Sequence, residues 1–323
     1  MRGMLAAARD CAKLVVGLGL LGVICLGWAP CAWILCKLRP ADDGRFGRRA
    51  ITVYIRFYLR ALEAIGAMRF DIGALDALEG PEVPEVPGVL NVLKAGDDGG
   101  PLIIAPNHPR LIDAFLVVSR LTNVVCIMKN DINDNVFLGQ AARLAGYISN
   151  DSAVQMIRDS VRTLKRGNHL LLFPEGTRTV REPVNPMTGA VGLIASRAGV
   201  PVQTVFIECD SPYLRKGWPL LRRPRLPIHF RVRLGQRFDP PKDPRAFTAM
   251  LEQYFVETLA PAGSTNGSAH PAASDLASPI ATTTPSFSRD VADVVAANPE
   301  NLASARPALT PLTTTAVIGS HST

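Results

Sequence analysis

A histidine and an aspartate lie five positions apart in the segment Asn107-His108-Pro109-Arg110-Leu111-Ile112-Asp113. An imidazole titrates near neutral pH and can take a proton from an attacking hydroxyl, and a carboxylate can hold the required tautomer and stabilise the imidazolium. On one continuous helix the two side chains would diverge by about 140°. We therefore expect His108 on a turn before a helix that starts at Pro109, with Asp113 in the first turns. Taken alone, the spacing also fits a loop histidine and a capping aspartate.

A second group with chemical potential is Phe173-Pro174-Glu175-Gly176-Thr177-Arg178, which follows another apolar run. Gly176 permits close backbone approach, Thr177 offers a hydroxyl, and the Arg178 guanidinium suits a phosphate. Glu175 is expected either to orient the arginine or to bind a substrate hydroxyl. Because open sheets bind ligands at the carboxyl ends of parallel strands, we expect this group and the histidine turn to share one crevice.

The elements that must position these groups are short apolar runs alternating with helical patterns. The strand candidates are Val89 to Leu93, Leu102 to Ala105, Val124 to Met128, Leu170 to Phe173, Val202 to Ile207 and Ile228 to Leu234. Helical patterns cover Asp151 to Arg166 and Pro244 to about Leu259. The alternation predicts an α/β fold with a mainly parallel sheet flanked by helices.

The N-terminal region is apolar. Leu14 to Leu38 is uncharged except for Lys37 and would extend about 37 Å as a helix, enough to cross a bilayer. Pro30 and basic residues at both ends favour a re-entrant or shallow helix over the alternative, a cleaved signal peptide. Ala50 to Met68 has apolar residues at helical spacing with interleaved arginines, which is typical of a membrane-surface helix and almost equally of a core helix.

These patterns predict a membrane-associated two-helix segment in residues 1–70, an α/β domain in 71–261, and a disordered tail rich in Ala, Ser, Thr and Pro in 262–323. The net charge of +7 favours an anionic partner, either a phospholipid surface, a phosphate-bearing substrate or nucleic acid. No nucleic-acid recognition motif is present, so we expect no nucleic-acid partner. The six cysteines have neither metal-site nor disulfide spacing, which indicates a reducing compartment.

The basic loop Arg215 to Arg225 surrounds Trp218. It fits a lipid headgroup surface or an acidic carrier protein, and a plain solvated loop is the alternative.

Three segments occur in one order between Leu102 and Ile207: the Asn-His-x4-Asp turn, the Phe-Pro-Glu-Gly-Thr-Arg strand end, and Val200-Pro201-Val202. Together they resemble the glycerophospholipid acyltransferase family, whose best-known members make phosphatidic acid. The resemblance implies transfer of a fatty acyl group from acyl-CoA or acyl carrier protein to the free hydroxyl of lysophosphatidic acid (1-acylglycerol-3-phosphate) or a related glycerolipid. It implies no cofactor and no metal.

The resemblance also implies roles for individual residues. His108 and Asp113 would form the catalytic base, and Glu175, Gly176, Thr177 and Arg178 would bind the phosphate of the acceptor. Further substrate-binding residues would be Asn107, Lys129, which resembles the start of a Lys-x-x-Leu stretch, and Pro201. The two N-terminal helices resemble a membrane-dipping platform, and we expect the catalytic domain on the cytoplasmic face of the inner membrane.

Two departures from the family pattern leave the acceptor open. Arg110 stands where many members have Ser, and Asn150 and Asp151 stand where many carry Arg. Arg110 or Arg143 is a candidate to replace the missing family arginine, and nearby basic residues such as Lys129 are the alternative. The departures also allow an unusual acyl chain or a non-phosphate acceptor. A non-catalytic lipid-binding protein on the same scaffold is a further alternative, against which the intact His108, Asp113 and Glu175 argue.

Overall fold

A mainly parallel sheet forms the centre of the protein. The structure is a computed structural model that describes residues 2–38, 44–78, 100–129, 135, 138–219 and 222–260. In these residues the strands are β1 Met68–Asp71, β2 Ile103–Pro106, β3 Val124–Met128, β4 Ile148–Ser149, β5 His169–Leu171, β6 Val202–Cys209 and β7 Ile228–Phe238. The strand predicted at Val89 to Leu93 and the tail predicted from residue 262 lie outside the described residues.

The sheet has the order β1-β7-β6-β2-β5-β3-β4. The five strands from β6 to β4 run parallel, whereas β7 is antiparallel to β6 and β1 is parallel to β7. The predicted α/β class with a mainly parallel sheet is therefore confirmed. Because β2 and β5 are adjacent and parallel, the turns that follow them meet at one edge of the sheet.

Helices cover both faces of this sheet. They are α1 Arg2–Leu38, α2 Arg45–Ala64, α3 Asp113–Val118, α4 Gly139–Leu144, α5 Ala153–Lys165, α6 Ala190–Ala198 and α7 Pro244–Leu259, with a 3-10 helix at Gly73–Leu78. One face of the sheet, including Ile104 and Leu171, packs with α2 and α3. The other face, including Ile103 and Leu170, packs with α5, α6 and α7. The alternation of side chains along each strand thus divides the interior into two apolar cores.

Helix α2 is part of the folded domain. The Arg48 side chain is 2% exposed, and its guanidinium donates to the Ala145 carbonyl at 3.0 Å and to the Asn168 side-chain oxygen at 3.0 Å. The opposite side of α2 exposes apolar residues, with Val53 62% and Phe57 56% exposed. One face of α2 therefore packs in the core of the domain, and the opposite face is an exposed apolar surface. The boundary predicted between residues 70 and 71 is wrong, because it falls inside β1.

Helix α1 runs along the domain without a break at Pro30. Near its start, Lys13 Nζ donates to the Gly66 carbonyl at 3.0 Å, and near its end Cys36 Sγ contacts the Gln140 carbonyl at 3.7 Å. These two attachments are about 35 Å apart along the helix axis. Residues 7–38 are long and apolar enough to cross a membrane by length and composition alone.

Candidate active site

The turn that carries the histidine is fixed by Asn107. The Asn107 side-chain amide donates to the Ile207 carbonyl at 3.0 Å, and its oxygen accepts the Ile207 N–H at 2.7 Å. This residue is 4% exposed, so both ends of the amide are used in joining the end of β2 to β6. These bonds give Asn107 a positioning role, and its predicted contact with substrate stays a prediction.

His108 and Asp113 form a hydrogen-bonded pair. Nδ1 of His108 lies 2.9 Å from Oδ2 of Asp113, and the same oxygen accepts the Arg110 N–H at 2.6 Å. The sequence had predicted a helix that starts at Pro109, but the helix begins at Asp113. Residues 109–112 instead form the turn that folds the carboxylate back toward the ring. When Asp113 is ionised, it accepts a hydrogen bond from Nδ1–H, and in that tautomer Nε2 is unprotonated and able to take a proton from a substrate.

The burial of Asp113 differs from that of its partner. Asp113 has a side-chain exposure of 0%, whereas the His108 side chain is 18% exposed. Burial raises the pKa of Asp113 above its ordinary value, and the bonds from His108 and Arg110 oppose that rise. The carboxylate is therefore shielded from water, and the ring that it holds can still be reached. The ring also stacks on Phe173, with 3.9 Å between ring centroids.

Glu175 connects the histidine turn to the second loop, residues 172–185, which follows β5. One carboxylate oxygen accepts the His108 N–H at 2.8 Å and the other accepts the Asn185 N–H at 2.8 Å. The Thr179 hydroxyl lies 2.8 Å and 2.9 Å from the two oxygens. Glu175 is 4% exposed, and burial raises its pKa while the N–H donors oppose the rise. None of these donors belongs to Arg178, so the expectation that Glu175 orients that arginine is not met. Its contact with a substrate hydroxyl stays a prediction.

Both backbone groups of His108, the N–H and the carbonyl, form hydrogen bonds to the second loop. Its N–H is bonded to Glu175, and its carbonyl accepts the Thr179 N–H at 2.8 Å. The turns after β2 and β5 therefore form one cluster, as the parallel-strand argument had predicted. Sequence reasoning did not identify Thr179 and Asn185, since neither belongs to a recognisable spacing pattern with the histidine.

The remaining residues of the second loop face a third segment, residues 210–219, which follows β6. Gly176 adopts a positive φ of 66°, which glycine allows at this sharp turn. The Arg178 guanidinium donates to the Leu214 carbonyl at 3.2 Å. The Thr177 hydroxyl accepts from Lys216 Nζ at 3.4 Å. This third segment was identified from the sequence only as the start of a basic loop.

Two predicted substrate-binding residues, Lys129 and Pro201, do not join the cluster. Lys129 follows β3, two strands from β2, and is exposed. Pro201 precedes β6, and its carbonyl accepts the Ile103 N–H at 3.1 Å, so it lies at the opposite edge of the sheet from His108. The structure therefore does not bring Pro201 to the crevice of His108, and its role in substrate binding stays a prediction. Arg110 is buried and donates to the Ser211 and Pro109 carbonyls, so it is not the replacement cation.

No group of three or more His, Cys, Asp or Glu side chains could hold a metal ion within the residues that the structure describes.

The fold and this geometry define an α/β domain with a histidine–carboxylate pair at the carboxyl edge of its sheet. Residues 83–208 match the family model described as Acyltransferase. The fold is similar to that of the 1-acyl-sn-glycerophosphate acyltransferase PlsC from Thermotoga maritima. That comparison has a TM-score of 0.58 and 17% sequence identity, and it covers 80% of this chain and 96% of PlsC. The family expected from the sequence motifs is confirmed.

Proposed function

We propose that the protein is an O-acyltransferase that moves a fatty acyl group from acyl-CoA or acyl carrier protein to the free hydroxyl of lysophosphatidic acid or a related glycerolipid. The observation that carries the proposal is the His108–Asp113 pair at 2.9 Å, within a domain of the acyltransferase family. PlsC of Thermotoga maritima, which shares the fold, is named a 1-acyl-sn-glycerophosphate acyltransferase.

The proposed mechanism is a direct transfer. Nε2 of His108 takes the proton of the acceptor hydroxyl while that oxygen attacks the thioester carbonyl carbon. Asp113 stabilises the imidazolium that forms. The tetrahedral intermediate then collapses, the carbon–sulfur bond breaks, and the leaving thiolate takes the proton back from His108. The products are the new ester and the free carrier thiol, and the enzyme returns to its starting protonation state.

Membrane association is proposed from the apolar surface of α1 and α2. The exposed apolar residues of these helices are Val15, Val16, Leu18, Val23, Leu26, Trp33, Ile34, Leu38, Phe46, Val53 and Phe57. Because α1 is attached to the domain near both Lys13 and Cys36, insertion of this surface into one leaflet fits better than a helix crossing the bilayer.

The side of the membrane is also a proposal. All six cysteines are free, which fits a reducing compartment and hence the cytoplasmic face of the inner membrane.

The experiment supplies purified protein with labelled acyl-CoA or acyl carrier protein and a panel of acceptors. We expect labelled phosphatidic acid from lysophosphatidic acid. Transfer only to acceptors without phosphate would establish the second candidate function, which the uncharged Asn150 and the acidic Asp151 favour. Absence of turnover with every thioester would overturn both and support a non-catalytic lipid-binding protein.

A further inference from the structure

The loop between β6 and β7 is joined to both turns of the candidate active site. The Leu214 carbonyl accepts the Leu111 N–H at 3.1 Å and the Arg178 guanidinium at 3.2 Å. Leu214 has a φ of 65°, a backbone conformation that non-glycine residues rarely adopt. Such conformations persist where surrounding contacts require them, and they cluster at functional sites. The two donors explain the strain here, because they fix the direction of this carbonyl.

The same turn places a lysine over the second loop. Lys216 follows two residues after Leu214, and its Nζ lies 3.4 Å from the Thr177 hydroxyl oxygen. Lys216 is exposed, and Thr177 and Arg178 are partly exposed, so a ligand can reach all three. The Lys216 ammonium therefore contacts the second loop at Thr177, and the Arg178 guanidinium of that loop reaches back to the turn that carries Lys216.

Two neighbouring cations, Arg215 and Arg110, are engaged elsewhere. Arg215 pairs with Glu182 at 2.6 Å, and Arg110 is buried and donates to backbone carbonyls. Arg178 has five N–H donors and uses one of them on Leu214, so it keeps donors for a ligand. Lys216 and Arg178 thus bring two accessible positive charges to this part of the second loop.

We propose that Lys216 binds the anionic end of the acceptor, together with Arg178 and Thr177, and so determines the preference for a phosphate-bearing glycerolipid. This inference rests on the proposed function. An ammonium can approach a phosphate oxygen from several directions, whereas the planar guanidinium binds two oxygens at once, so the two groups complement each other. The strained Leu214 sets the position of Lys216 relative to the second loop.

The test compares Lys216→Gln with the wild type on two acceptors, lysophosphatidic acid and monoacylglycerol. We expect KM for lysophosphatidic acid to rise about 10- to 100-fold, the loss typical of one hydrogen bond to a charged group, with kcat within about three-fold. KM for monoacylglycerol should change less than about two-fold, because that acceptor has no phosphate. Lys216→Arg should restore most of the affinity.

Lys242→Gln is the matched control, because Lys242 is also an exposed lysine. It follows β7, whose last residue, Phe238, pairs with the start of β6, so it lies at the opposite edge of the sheet from the turn after β2. This control variant should leave both KM values unchanged. Binding of glycerol 3-phosphate, measured by calorimetry, provides a readout that does not depend on turnover. Lys216→Gln should weaken that binding about 10-fold or more.

The outcomes separate the two proposals. An unchanged KM for lysophosphatidic acid and unchanged glycerol 3-phosphate binding would overturn the role of Lys216 and leave the acyltransferase proposal intact. A fall in kcat of equal size for both acceptors would also overturn it, because it would indicate a structural role. Wild-type protein that transfers to neither acceptor would refute the proposed function, and glycerol 3-phosphate binding would still decide the role of Lys216.

Discussion

Replacing Glu175 by glutamine converts one buried carboxylate oxygen into an amide nitrogen. In the wild type, the two oxygens accept the N–H groups of His108 and Asn185, each at 2.8 Å. Glutamine has one acceptor oxygen, so one of these buried donors would face an NH2 group. Leaving a buried donor unsatisfied costs about 1–3 kcal/mol, and we therefore expect about 2 kcal/mol of lost stability. For a folded unit of this size, that corresponds to a drop of about 4–8 °C in Tm.

The kinetic effect of Glu175→Gln should be on kcat. The carboxylate holds the backbone of His108, and a displacement of about 1 Å in a reacting group can cost about 100-fold in rate. We expect kcat to fall about 10-fold or more, with KM for the acceptor within about two-fold. Steady-state kinetics and thermal unfolding of the same preparation measure both effects.

Glu257→Gln is the control for this prediction, because Glu257 is exposed on α7 and accepts from Gln253. It should change neither Tm nor kcat. The reasoning would be refuted by a Glu175→Gln variant with wild-type Tm and kcat and a raised KM. That result would mean that Glu175 contacts the acceptor hydroxyl, as the sequence pattern allowed.

Three further predictions follow from the structure. His169 accepts the Leu102 N–H at 3.1 Å, and burial, with the charge of Arg237, lowers its pKa to about 4. Below pH ~6.5 the His169 ring binds a proton in the unfolded state, whereas in the native state it stays neutral until about pH 4. The free energy of unfolding should therefore fall by about 2 kcal/mol from pH 7 to 4.5, a figure that is discounted for the partial exposure of the ring. Urea unfolding at several pH values should show that His169→Asn lacks this loss. The same pH dependence of the free energy of unfolding in the variant and the wild type would contradict the prediction. Arg48→Met should cost about 3 kcal/mol in the same assay, and an unchanged midpoint would contradict the buried network. Phe57→Asp should weaken vesicle binding about 10-fold without changing the circular dichroism spectrum, whereas unchanged binding would exclude this surface.

Several elements could be predicted because their signals are local. Helix α5 starts where Ser152 accepts the Gln155 N–H, and α7 starts where Asp243 caps the helix and Pro244 occupies its first turn. Strand β3 matches its predicted bounds because a continuous apolar run marks it. In contrast, β1 was missed, because its four residues have little pattern of their own and pair with β7, far along the chain.

The candidate site also combines features with a local sequence signal and features that depend on contacts far along the chain. The meeting of His108 with Asp113 follows from five-residue spacing and a turn, so the sequence contains it. The bond from Glu175 to the His108 backbone spans 67 positions, and it depends on β2 and β5 being neighbours in the sheet. The strained backbone of Leu214 likewise has no sequence signal, because it arises from contacts with two other loops.

The central claim is that His108, held by Asp113, removes the proton of the acceptor hydroxyl. The most direct measurement is acyl transfer by purified His108→Ala from a labelled thioester to lysophosphatidic acid. General-base removal typically costs 10²–10⁴-fold, so we predict a loss of about 1,000-fold or more, with wild-type circular dichroism and wild-type vesicle binding. Transfer within about ten-fold of the wild-type rate by that folded variant would contradict the account.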